Sequence, residues 1–154
     1  MPNEPEKVRE RLALRAATTY MLRSARVLNR IVGNGDILRT LIFLAIVDAN
    51  VRHLRPGDVF AQTHSGADDR VPDEARRPIS IHALALELDL PYETTRRHVN
   101  RLINDGMCAR GDSGVIVPGE VLGREAFVIG LKQNYENLRQ LLDDLKTGGV
   151  SFDD

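Results

Sequence analysis

The stretch "LDLPYETTRRHVNRLINDG", Leu88 to Gly106, sets Thr94, Thr95, Arg96, Arg97, Asn100 and Arg101 within about two helical turns. None of these side chains is a ready base or nucleophile at neutral pH, so the chemistry they offer is directional hydrogen bonding and fixed positive charge. A guanidinium presents a rigid fork of donors, and a carboxamide presents a donor and an acceptor side by side. Both pair bidentately with planar partners. The question is why a chain whose formal net charge is only -1 concentrates that capacity on one short segment.

Other chemistries find little support. No Gly-rich phosphate loop, nucleophile elbow or paired acid and base stands in the sequence, and the "GDSG" at Gly111 to Gly114 lacks the rest of a serine protease, so the chain is expected not to be an enzyme and to need no cofactor. His53, His64, His82 and Cys108 lack zinc-type spacing, so no metal site is expected. With 154 residues, 42% hydrophobic and 28% charged, the composition is that of an ordinary globular protein with enough chain for a real core. A single Cys108 cannot form an intrachain disulfide, and no apolar run follows a basic N-terminus, so a cytoplasmic location is expected. The apolar run Ile37 to Val51 carries Arg39 and Asp48 and is shorter than the roughly 20 residues a bilayer span needs. It reads as a buried helix, and no membrane partner is expected.

The elements that position the polar stretch follow from period and punctuation. Glu6 to Ile31 holds neither Gly nor Pro, and Leu14, Ala17, Met21, Ser24, Leu28 and Ile31 alternate at steps of three and four, which predicts a long amphipathic helix. "GNGD" at Gly33 to Asp36 ends it and starts the apolar helix, because Gly suits a left-handed C-terminal cap and Asp36 an N-cap. The segment 53–78 is rich in Pro, Gly and Asp without a sustained period and is expected to be a flexible loop. Ser80 then caps a two-turn helix with Ile81, Leu84, Ala85 and Leu88 on one face; Asp89 and Leu90 interrupt it, and Pro91 opens the next helix. Along that second helix Thr95, Val99 and Leu102, with Ile103 beside them, form a narrow apolar seam, while Glu93, Thr94, Arg97, Asn100 and Arg101 point away. "MCARGDSGVIVP" after Gly106 reads as strand, turn, strand.

The order helix, tight turn, helix, hairpin over 79–118 resembles the winged helix-turn-helix of bacterial transcriptional regulators, most like the DNA-binding modules of the IclR and MarR groups. The resemblance rests on Ala85, Leu88, Leu90-Pro91, Thr94, Arg97, Leu102, the "DG" ending at Gly106 and the hairpin, about a quarter of the chain. Asp89 stands where many relatives have Gly, and the 53–78 insertion is a further departure. The fold class implied is mainly α with a small β-hairpin wing, a winged helix-turn-helix flanked by long N- and C-terminal helices.

The resemblance implies that Tyr92 to Asp105 is a recognition helix in the major groove of double-stranded DNA and that the 107–118 hairpin is a wing. Arg97 and Asn100 are then the candidates for base edges, because Arg pairs with guanine and Asn with adenine bidentately. Tyr92, Thr94, Thr95 and Arg96 are candidates for phosphates, Arg110 for the backbone or minor groove beside the wing, and Glu93 for cytosine or for the helix dipole alone. Arg101 lies on the same outward face. From Tyr92 to Arg110 four arginines face two acids, a local +2, and so few cations favour two copies on one duplex. Residues 1–52 and 119–146 are expected to supply dimerisation helices, with Phe127, Leu131, Asn134, Leu138, Leu141 and Leu145 as a heptad seam between chains or, alternatively, between the two helices of one chain; 147–154 is expected to be a disordered tail. An effector pocket beside the apolar helix fits this layout, but no residue marks its ligand. The alternative function is a winged-helix module whose arginine face binds an acidic protein.

Overall fold

The computed structural model describes residues 1–55 and 71–152. It is mainly helical, with one two-stranded antiparallel hairpin. In chain order the elements are α1 (Glu4–Leu28), a π-helical turn (Asn29–Gly33), α2 (Ile37–Val51), a 3-10 turn (Asp73–Ala75), α3 (Ile81–Leu88), α4 (Tyr92–Asn104), β1 (Ala109–Gly111), β2 (Gly114–Ile116), α5 (Gly119–Leu122) and α6 (Glu125–Thr147). Most of the loop expected over 53–78 lies outside the described residues. Among the described residues no helix is long and apolar enough to cross a membrane.

The junction between α1 and α2 has the left-handed backbone that a glycine there suits. Asn34 (φ 50°) and Gly35 (φ 86°) take the left-handed conformation, whereas Gly33 ends the π-helical turn. Gly33 is needed there for space, since a β-carbon would run into the side chains of Asn29 and Thr40. Asp36 caps α2 as expected, accepting from the amides of Leu38 and Arg39.

Helix α2 is the centre of the core. Ile42, Phe43 and Ile46 are buried against Leu84 of α3, Val99 and Leu102 of α4 and Val115 and Val117 of the hairpin region. Phe43 meets Phe127 of α6 with ring centroids 5.5 Å apart, which fills the space between those two helices. Near the C-terminal end of α2 sits Asn50, fully buried. Its amide donates to the carbonyls of Arg77 and Val115, and its oxygen accepts from the Val117 amide at 2.9 Å. One side chain thus ties α2 to β2 and to the segment that leads into Ile79.

The long C-terminal helix expected over 119–146 is two helices, α5 and α6, divided at Gly123 and Arg124. Gly123 has little helical preference, and Arg124 turns to extended backbone while its guanidinium pairs with Glu120 and reaches the Gly106 carbonyl. Beyond the break α6 runs antiparallel to α1 within the same chain. Gly130 meets Ile31 and Val27 at one end, Ser24 donates to Asn134 at 2.5 Å, and Gly148 meets Leu12 at the other end. Residues Gly148 to Phe152 fold back on the helix end, with the Val150 amide bonded to the Leu145 carbonyl and Phe152 beside Leu14 and Leu145.

Candidate nucleic-acid interface

The turn between α3 and α4 is built from the two residues that the sequence marks as helix breakers. Asp89 is left-handed at φ 53°, and its amide returns to the end of α3. Pro91 then precedes the first turn of α4, where an amide has no helical partner to lose. Ser80 accepts from the Ala83 amide and fixes the start of α3. Val99 and Leu102 are fully buried, so the α4 seam is set as its spacing predicts.

Thr95 belongs to that seam and not to the outer face. It is fully buried, and its hydroxyl donates to the Pro91 carbonyl at 3.0 Å, so its proposed phosphate contact is withdrawn. The reason is its helical position, one turn before Val99. Two polar contacts invisible in the sequence hold α4 on the first turn of α2. His98 faces the Thr94 carbonyl with Nδ1 (2.8 Å) and the Asp36 carboxylate with Nε2 (3.0 Å); both contacts are hydrogen bonds only when the ring carries both protons. Arg39 pairs with Asp105 at 2.6 Å and reaches the Val32 carbonyl with Nε. Helix α4 is therefore clamped near its middle and at its C-terminal end.

Burial alone would raise the Asp36 carboxyl, but the hydrogen bond and charge of His98 and the amides of Arg39 and Leu38 outweigh it and hold the group below its ordinary value of 3.8. The pair belongs to the mount of the helix and not to its outward face.

The outward face is less uniform than the sequence suggests. Arg96 is engaged by Glu93 through both carboxylate oxygens, and the hydrogen bond from Arg96 lowers the Glu93 carboxyl. That pairing occupies the candidate phosphate ligand Arg96 and the candidate cytosine acceptor Glu93 together. Asn100 is half-buried and accepts from Arg110 of β1 at 2.9 Å, which joins the recognition-helix candidate to the hairpin. Reading adenine with Asn100 then requires Arg110 to share or release that oxygen. Thr94 is half-buried, with its carbonyl bonded to His98, and Tyr92 is 47% exposed. Arg97 and Arg101 are exposed and form no hydrogen bond or ion pair among the described residues.

Tyr92 and Arg110 also line a cleft of about 330 Å³ between the hairpin and the start of α3, together with Ser80, His82 and Ser113. Gly114 shapes it: at φ 154° it lies against the Ile79 backbone, where a β-carbon would collide, and Ile79 forms an isolated antiparallel bridge with Val115. His82 is thus a candidate contact beside Arg110 that spacing alone did not single out.

No family model, curated protein or solved structure matches the chain. The reading therefore rests on the geometry of these residues. Among the described residues no group of His, Cys, Asp and Glu is placed to hold a metal ion.

Proposed function

We propose that the chain is a sequence-specific DNA-binding transcriptional regulator that acts as a homodimer in the cytoplasm. In this reading 79–118 is a winged helix-turn-helix, α4 enters the major groove, and the hairpin lies against the flanking backbone. The observation that carries it is the contrast along α4. Its inner side is clamped by His98 and Asp105, while Arg97 and Arg101 project with their donors unused beside the wing arginine. A clamped helix presenting unpaired guanidinium groups suits a groove lined by base acceptors and phosphates. Arg110, Tyr92 and Thr94 flank that face, and Arg96 with Glu93 joins it if the pair opens.

The test is retention of pooled genomic DNA fragments at two salt concentrations by wild type and Arg97→Ala, followed by sequencing. Wild type is expected to enrich a palindromic site, with retention falling steeply as salt rises. Arg97→Ala is expected to weaken that site by a factor of about 5 to 150. If wild type retains no DNA even at low salt, the regulator reading fails, and the same face becomes the bait for an acidic protein partner.

A further inference from the structure

The α1–α6 pair leaves large apolar side chains in solvent on one side. On α6, Leu131, Tyr135, Leu138 and Leu142 repeat at steps of four, three and four, and each is more than a third exposed. Their stripe adjoins the seam that packs on α1, where Phe127 and Gly130 are buried. On α1, Leu14 (68% exposed) and Met21 (60%) hold the corresponding flank beside Ser24 and Ala17. Because the helices are right-handed and antiparallel, both flanks fall on the same side of the pair. The expected heptad seam is thereby divided. Phe127 and Asn134 serve contacts within the chain, while Leu131 and Leu138 join the outer stripe.

We propose that a second copy of this chain covers that side, related by a two-fold axis at the level of Met21 and Leu138. This deepens the homodimer of the preceding reading and gives it a defined face. The shape argues for a copy and against an unrelated occupant. At one end the surface is hollow: Ala13, Leu14 and Ala17 of α1 and Leu141 and Leu145 of α6 line a mostly apolar groove of about 490 Å³, with Glu10 and Phe152 at its edge. At the other end Leu131 and Tyr135 form a ridge, 50% and 61% exposed. Rotation by 180° about the middle lays the ridge of each copy into the groove of the other, which is the self-complementarity an isologous interface requires. The contact between Gly148 and Leu12 and that between Gly130 and Ile31 bound the pair, and the 19 helical steps from Leu12 to Ile31 make about 28 Å of length. Two helices each about 10 Å wide give a footprint on the order of 600 Å², near the roughly 800 Å² per partner of a standard interface.

Sedimentation equilibrium of the full chain and cross-linking of single cysteine variants test this face. Wild type is expected to be a dimer in the micromolar range, and Leu138→Glu is expected to weaken self-association at least roughly thirtyfold with its helical circular dichroism intact. Tyr135→Glu serves as a second variant should the first unfold. A short bismaleimide is expected to link Leu138→Cys to its copy across the axis but not Leu131→Cys, whose two copies lie about 21 Å apart along the helices. A wild-type monomer, a dimer unaffected by either Glu variant, or cross-linking of Leu131→Cys in place of Leu138→Cys each overturns the proposal. So does a monomer that binds anionic vesicles through this face. DNA retention separates the two readings: a dimer that ignores DNA supports this face and sinks the regulator, whereas a monomeric wild type that still enriches a site does the reverse.

Discussion

The module over 79–118 and the α1–α6 pair are both built from amphipathic helices, yet they leave opposite surfaces unsatisfied. In the module the apolar seam of α4 is buried and the surplus on its outer face is polar: Arg97 and Arg101 stand out with unused donors. In the helical pair the surplus is apolar, from Leu14 and Met21 to Leu131, Tyr135 and Leu142. Unused donors on a clamped helix cost little in water and gain when an anionic partner arrives, whereas a large contiguous apolar patch is disfavoured in water and points to association. The two regions thus ask for different partners, and α2, which packs against α4 and meets α6 through Phe43, is the element that joins them.

The strongest way to break the comparison is to free the module from α2 while leaving the helical pair alone. Asn50→Ala removes three hydrogen bonds from a fully buried site and leaves the Val117 amide without its partner, while the Val115 carbonyl keeps the Ile79 amide. At about 1 kcal/mol per bond, with the penalty for unpaired buried groups added, the loss is expected to be roughly 3 to 5 kcal/mol. Thermal melting is expected to shift down by about 10 °C. If self-association through the helical pair survives in conditions where the hairpin has loosened, the two regions are separable as described. A melting point within a degree or two of wild type would show that the Asn50 contacts are not what holds the hairpin.

Much of this was legible in advance, and the misses share a cause. Helix α3, the breakers Asp89 and Pro91, the Asp36 cap and the hairpin are all local, set by a few consecutive residues whose backbone preferences agree. The contacts between Asn50 and both Arg77 and the hairpin, His98 and Asp36, and Arg39 and Asp105 join residues 27 to 67 positions apart, and no period encodes them. Asn50 did carry a faint signal as a carboxamide at the end of an otherwise apolar helix. Thr95 and the α6 seam show the limit from the other side. The angle per residue ranks faces correctly, but whether a face meets its own chain or another is decided by the fold around it.

A smaller effect sharpens the account of the clamp. The Asp36 carboxyl is depressed in the folded chain, so its contribution to stability is present above its ordinary 3.8 and is lost as pH falls through the lower folded value. Asp36→Asn keeps an oxygen for the α2 cap but removes the charge opposite His98. Urea unfolding at pH 7 and at about pH 3 is expected to show a shallower acid loss for the variant than for wild type. Because the Asp36 side chain is 43% exposed, the difference is expected to be modest. Equal acid losses in the two proteins would show that the carboxylate does not contribute to the mount.

The gentlest probe is Cys108, buried at the junction between α4 and β1. Burial pushes its thiol up to about 12, with Arg39 opposing only in part. At pH 8 about one thiol in 10,000 is then ionised, so the native chain is expected to be almost silent toward a thiol reagent and to titrate as one cysteine in denaturant. Rapid native labelling would mean that the junction opens often and that α4 is not the rigid support its polar face needs. A silent Cys108 also makes the introduced thiol of Leu138→Cys the single reactive sulfur of the chain, so any covalent dimer in that variant reports on the helical pair alone. The same residue therefore tests the rigidity of one region and isolates the association of the other.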